Sequence, residues 1–251
     1  MKKISTLIIT LILLTSCGDD DLFNSDRKNV NIRFTNRIAS EEVNLNSATY
    51  QNFAEEDFSI SELKYIISNI EFVKANGDTY SYPKNESFFL INQEDDGSKT
   101  ITLKNIPIEN FQTLRFGIGV DQSKYPLNGV LNFIPTAEEN QMLWSWSAGY
   151  IFFKMEGNYT LEGGNSNESF LFHIGSHGTS LDNYKVVELS SEDALLNLYE
   201  NNLIRIEADV LSVFNAAHEI RINDKPDIQI DPENAPKVAE NVSQLFSLIS
   251  E

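Results

Sequence analysis

Three histidines, two tryptophans and one cysteine are the residues of this chain whose types could do chemistry beyond packing. Imidazole is a good transition-metal ligand, whereas the nitrogen of an intact indole has no lone pair to offer a metal. His173 is the most informative. Phe170, Phe172 and Ile174 fall on one face of an alternating run, which puts Leu171 and His173 on the other. His177 stands four residues on, inside Gly175-Ser-His-Gly178, where the glycines predict a turn. His218 shares a face with Ile220 and Ile222 in a short run that reads as a partly buried strand. Trp144 and Trp146 are two apart, so a strand would present both on one face. Each residue also has a purely structural role open to it. Both indoles can be core aromatics, His173 can be hydrogen-bonded to a neighbouring strand, and His177 can be solvated in its turn.

Other chemistries find little support. One Cys and three His cannot build an intrachain disulfide, a Cys-rich zinc site or a multi-histidine cage. Glu94-Asp95-Asp96-Gly97 and the stretch from Asp224 to Asp231 lack the Asp-x-Asp-x-Asp-Gly loop with its terminal Glu, so no EF-hand is supported. No G-x-S-x-G elbow, P-loop or dinucleotide glycine fingerprint is present. The expectation is a protein that is not an enzyme. Asp and Glu number 37 against 19 Lys and Arg, a formal charge of −18. Phosphate contacts need clustered cations, so a nucleic-acid partner is excluded.

The elements that must position these residues alternate with period two. The 251 residues are 41% hydrophobic and 11% aromatic, which rules out wholesale disorder and allows a sizeable core. Val30, Ile32 and Phe34 line one face of a strand; Leu114, Phe116, Ile118 and Val120 do the same, as do Ile204, Ile206, Ala208 and Val210. Further strands are predicted over 66–73, 87–91, 100–103, 150–156, 169–174 and 185–189. Ser190 or Ser191 can cap a helix from Glu192 to Tyr199. Val238, Val242, Leu245, Phe246 and Ile249 recur at helical spacing and predict a C-terminal helix from about Ala235 to Ser250. The fold expected is all-β: one antiparallel β-sandwich over 29–251 with a few helices, including the C-terminal one.

Ahead of that domain the chain reads as an address. Lys2 and Lys3 precede an apolar run from Ile4 to Leu14, too short for a permanent membrane span, so 1–16 reads as a signal peptide. Leu14-Thr15-Ser16-Cys17 resembles a bacterial lipobox, which implies cleavage before Cys17 and lipidation of that residue. Residues 17–28 then form a lipidated acidic linker. Its Asp19, Asp20 and Asp21 are similar to the export signal that places Bacteroidetes lipoproteins on the outer face of the outer membrane. A membrane partner through the lipid anchor follows.

Five segments in order resemble one family. The run Leu63 to Phe72 keeps Ser68 and Asn69 inside an apolar strand, like the "YYISN" strand of the MbnP-like copper-binding family. Phe116-Gly-Ile-Gly-Val-Asp121 and Asn128-Gly-Val-Leu131 are similar to the family's next elements. Met142 to Gly157 resembles its M-x-W-x-W-x-x-G-Y…K-x-E-G signature, and Phe172-His-Ile-Gly175 its F-H-I-G element. The resemblance implies a copper site made from histidines and a tryptophan oxidised to kynurenine, whose opened ring exposes an aryl amine that can coordinate. Carried onto this sequence, His173, His177, Trp144 and Trp146 are the candidate metal residues. No His stands beside either Trp, so the ligands must converge from paired strands. The resemblance also implies a di-haem partner of the cytochrome c peroxidase type that would oxidise the tryptophan. The alternative is a metal-free cell-surface module that binds a protein or glycan through exposed aromatics.

Overall fold

The computed structural model describes residues 26–121, 132–144, 149–160, 167–176, 181–191 and 196–250. Along the chain these form β1 (Arg27–Ile38), β2 (Glu41–Glu42), β3 (Tyr50–Gln51), β4 (Asp57–Val73), β5 (Thr79–Ser81), β6 (Phe88–Asn92), β7 (Thr100–Pro107) and β8 (Thr113–Ile118). After the helix α1 (Ile134–Glu139) come β9 (Phe153–Thr160), β10 (Asn167–Ile174), β11 (Lys185–Ser190), β12 (Leu203–Asp209), β13 (Asp227–Ile228), α2 (Ala235–Val242) and β14 (Phe246–Ile249). The smaller sheet runs β14-β12-β1-β2, with β7 also paired to β1. The larger runs β11-β8-β4-β9-β10-β13, with β3, β5 and β6 paired along β4. The architecture is the expected all-β sandwich. Most neighbours are antiparallel; β1–β12 and β10–β13 are parallel.

Aromatic side chains join the two sheets. Phe34 of β1 meets Tyr65 of β4 and Phe116 of β8 edge-on, with ring centroids 6.2 and 6.0 Å apart. Edge-to-face packing suits the ring quadrupoles and adds to the area term. Burying each such ring contributes about 1.5–3 kcal/mol. The polar atoms trapped here are paired: Asn36 accepts from the Tyr65 hydroxyl at 2.8 Å and donates to Gln93 at 2.9 Å. Glu56 is likewise buried but accepts from Asn52 and from the backbone N–H groups of Ile222 and Asn223, which ties the 220s to the start of β4.

The central strand β4 changes face twice. Phe58 and Ile60 point into the main core, then Leu63, Tyr65 and Ile67, then Ile70 and Phe72. Register shifts between Ile60 and Glu62, and again between Ser68 and Glu71, reverse the parity each time. Asn69, at φ 49°, marks the second bulge. Gly119, at φ 96°, performs the same reversal after β8. Val120 therefore leaves the face of Leu114, Phe116 and Ile118 and joins a second, smaller core on the outside of the large sheet.

Several expectations are corrected. The C-terminal helix begins at Ala235 but ends at Val242; Phe246–Ile249 is a strand that pairs with β12. Phe246 then packs against Phe34, Tyr65 and Phe116, a better use of the ring than an exposed helical turn. Of the helix expected over Glu192 to Tyr199, residues 192–195 lie outside the described residues, and 196–199 form turns with a bridge from Asn197 to Asn110. Residues 218–222 are not a strand: only Glu219 bridges, to Asn215, and His218 is exposed. The strand expected from Tyr150 begins at Phe153. β1 starts at Arg27, so the last two residues of the expected linker already belong to the sheet.

Candidate functional site

On the outer face of the large sheet, the pairing of β4, β9 and β10 arranges the polar residues in rows. Lys64, Lys154 and His173 lie in register across the three strands. The row beside it is Glu62, Glu156 and Leu171. The row on the opposite side is apolar: Ile66 donates its N–H to the carbonyl of Phe152, and both side chains belong to the smaller core. Alternation sends these side chains outward while Tyr65, Phe153, Met155, Phe170, Phe172 and Ile174 fill the main core. His173 therefore lies on the face that the alternation of β10 predicts.

The charges in these rows are mutually paired. Lys154, only 3% exposed, is 2.8 Å from Glu62 and 3.3 Å from Glu156. Lys64 also pairs with Glu62 and donates to the carbonyl of Asn140 at 3.2 Å, which ties the end of the α1 segment to the sheet. Burial pushes the Glu62 carboxyl up, but the bonds from Lys154 and Lys64 outweigh it and hold the group below its ordinary value. Nε2 of His173 is 2.7 Å from Oε1 of Glu156. The net effect on this imidazole is a lowered pKa, with burial the largest cause and the Glu156 bond opposing it. The ring is thus neutral at neutral pH, the form that ligates metals.

Trp144 arrives from the other side. Phe133, Ala137, Met142, Trp144, Tyr150 and Phe152 form the second core over Ile66. The chain folds back on itself here: Ile151 donates to Met142 at 2.8 Å and Trp144 to Gly149 at 3.1 Å. Burial pushes the Tyr150 phenol up to about 12, aided by the charge of Glu138. Trp144 is 6% exposed, and its benzo ring rests on Gly175. A methyl group at that glycine would lie 2.2 Å from the Tyr150 carbonyl oxygen and 2.8 Å from Cη2 of the indole. Only a residue without Cβ lets the ring and the strand end come this close. Trp144 thereby stands over a position two residues from His173.

Of the candidates read from the sequence, His173 and Trp144 are brought to the same end of β10. His218 is not: it lies on an exposed turn, its N–H donating to Asn241 of α2 at 2.8 Å. Trp146, His177 and Cys17 lie outside the described residues, as does the segment Asn128 to Leu131. Among the described residues, no three His, Cys, Asp or Glu side chains come together as a metal site. His173 offers an imidazole whose Nδ1 makes no hydrogen bond among the described residues. The sequence reading gave no role to Glu62, Lys64, Lys154 and Glu156. Their signal is a pair of charged residues two apart, and so on one face, in each of β4 and β9.

The fold and this site define an all-β sandwich with a second, tryptophan-bearing core built on the outside of its larger sheet. The MbnP family model matches residues 27–231, and the chain belongs to that family. Among solved structures it is similar to MbnP from Methylosinus trichosporium, with a TM-score of 0.56 at 15% identity over 89% of this chain and 98% of that one. At that identity the likeness is one of fold. No curated protein matches the chain in sequence. Among the described residues no helix is long and apolar enough to cross a membrane.

Proposed function

We propose that this protein is a non-enzymatic, copper-binding lipoprotein, held by lipid on Cys17 at the outer membrane, with its sandwich facing the cell surface. His173 supplies an imidazole donor. A tryptophan of the Met142–Gly157 segment, Trp144 or Trp146, supplies an aryl amine after oxidation to kynurenine, and His177 supplies the third ligand. The copper is carried for metal handling, and the oxidation falls to a di-haem partner of the cytochrome c peroxidase type.

The observation that carries this reading is the seating of Trp144 on Gly175, two residues from His173. It joins the tryptophan segment and the F-H-I-G segment, which are some thirty residues apart in sequence, at one strand end. Membership of the MbnP family supports it further.

The test is metal analysis and intact mass of the protein purified from its own membranes. Expected are bound copper, an acyl mass on Cys17 and a kynurenine mass shift on the peptide holding Trp144 and Trp146. His173→Ala should lose the copper and keep the fold. Copper that survives this change sinks the His173 assignment. Intact tryptophans with no copper favour a metal-free surface module instead.

A further inference from the structure

Glu156 is the nearest charged neighbour of His173, and the copper reading by itself gives it no task. Its Oε1 lies 2.7 Å from Nε2 of His173 and 3.3 Å from Nζ of Lys154. Lys154 is in turn 2.8 Å from Glu62, which also pairs with Lys64. Two carboxylates and two ammonium groups thus hold one another in place across β4 and β9, with His173 at the end of the chain of contacts. A carboxylate paired with an ammonium group offers only acceptor oxygens. The bond to His173 is therefore donated by Nε2–H. A neutral imidazole carries a single proton, so its lone pair is left on Nδ1.

We infer that Glu156 is a positioning residue, which fixes His173 in the Nε2–H tautomer, sets the plane of its ring and makes Nδ1 the atom that meets copper. The Lys154–Glu62–Lys64 ion-pair cluster keeps the Glu156 carboxylate at its post. The inference rests on the copper reading and names the part of the site that orients its imidazole. Metal-bound histidines commonly donate their other ring N–H to a carboxylate, and removing that partner weakens metal affinity roughly 10–100-fold.

The full chain can be tested without metal and then with it. Nitrogen NMR of the metal-free protein should show His173 protonated at Nε2. Glu156→Leu, which removes the acceptor, should give mixed tautomers and weaken copper binding by about 10–100-fold. Glu156→Gln keeps an acceptor oxygen and should retain most of both properties. A wild-type His173 protonated at Nδ1 overturns the inference and needs no variant to fold. So does a Glu156→Leu protein whose tautomer and copper affinity are unchanged. The copper reading fails separately: if the wild type takes up no copper while His173 is protonated at Nε2, the orientation stands and the metal assignment falls.

Discussion

The two faces of the large sheet are built from the same strands and do opposite work. Its inner face is almost wholly apolar, with Phe58, Tyr65, Phe72, Phe116, Met155, Phe170 and Phe172 in one core with the inward side chains of β1, β12 and β14. Its outer face carries a buried charged row and beside it a separate small core around Trp144. The inner face stabilises the fold by removing area from water, and any well-shaped apolar residue could serve there. The outer face buries charges that cost desolvation and must be paired, which is expensive unless their positions matter. The difference teaches where to look for function: on the face whose residues packing alone would not choose.

The contrast can be broken by mutation. Phe34→Ala opens a cavity at the junction of the two sheets and should destabilise the protein by about 3–5 kcal/mol in denaturant melts. Copper retention by the fraction still folded should be unchanged. A smaller but larger-than-surface effect is expected for Lys154→Met, roughly 2–4 kcal/mol, because Glu156 and Glu62 lose their buried cation. Adding Glu62→Leu should recover part of that loss. Strict additivity in this double-mutant cycle would show that the row is not a coupled network.

Gly175→Ala sharpens the comparison at the site itself. The new methyl must displace the Trp144 ring or the Tyr150 carbonyl, at a cost of about 1–3 kcal/mol. Tryptophan fluorescence should shift and copper retention should fall. A wild-type spectrum in this variant would remove Trp144 from the site.

The smallest effect is that of acid. On the outer face it should have two parts, one from His173 and one from Glu62, the latter shared with other depressed carboxylates such as Glu56. The folded His173 holds its pKa below the ordinary value, so the unfolded chain takes up its proton first as pH falls. Its contribution is complete above the unfolded imidazole value of about 6.5 and declines as pH drops from there towards the folded value. Glu62 is also depressed, so its contribution is present above the ordinary carboxylate value and is lost as pH falls through its folded one. Urea midpoints measured from pH 7 downward should therefore decline in two steps. His173→Phe should lack the first. An identical first step in that variant would assign it to another group.

Much of this could be read from the chain itself. Period-two alternation located β1, β8, β10, β11 and β12 and put His173 opposite Phe172, because side chains on a strand alternate whatever the strand pairs with. Legible too were the apolar run of β4, with its unusual Ser68 and Asn69, and the segments now matched to the MbnP family. The site was half legible. His173 and Trp144 were named by residue type and motif, while Lys64, Lys154 and Glu156 lay inside the quoted motifs without a role of their own and Glu62 lay just outside them.

What the tertiary structure decided was register and rescue. No local pattern says that Lys64 will stand beside Lys154 and Lys154 beside His173, since that depends on which strands pair and where β4 bulges. The reversals at Ile60/Glu62 and Ser68/Glu71 turn a run that looks uniformly buried into one that serves two cores. Residues 246–249 show the same limit from the other side. Their helical spacing is real, but β12 offers unpaired backbone and Phe34, Tyr65 and Phe116 offer a place for the Phe246 ring. Propensity in a four-residue segment is worth tenths of a kcal/mol, whereas a buried aromatic and four paired residues are worth several. The sequence alone determined which side chains share a face, because that is local geometry; which faces meet was settled only when distant strands paired.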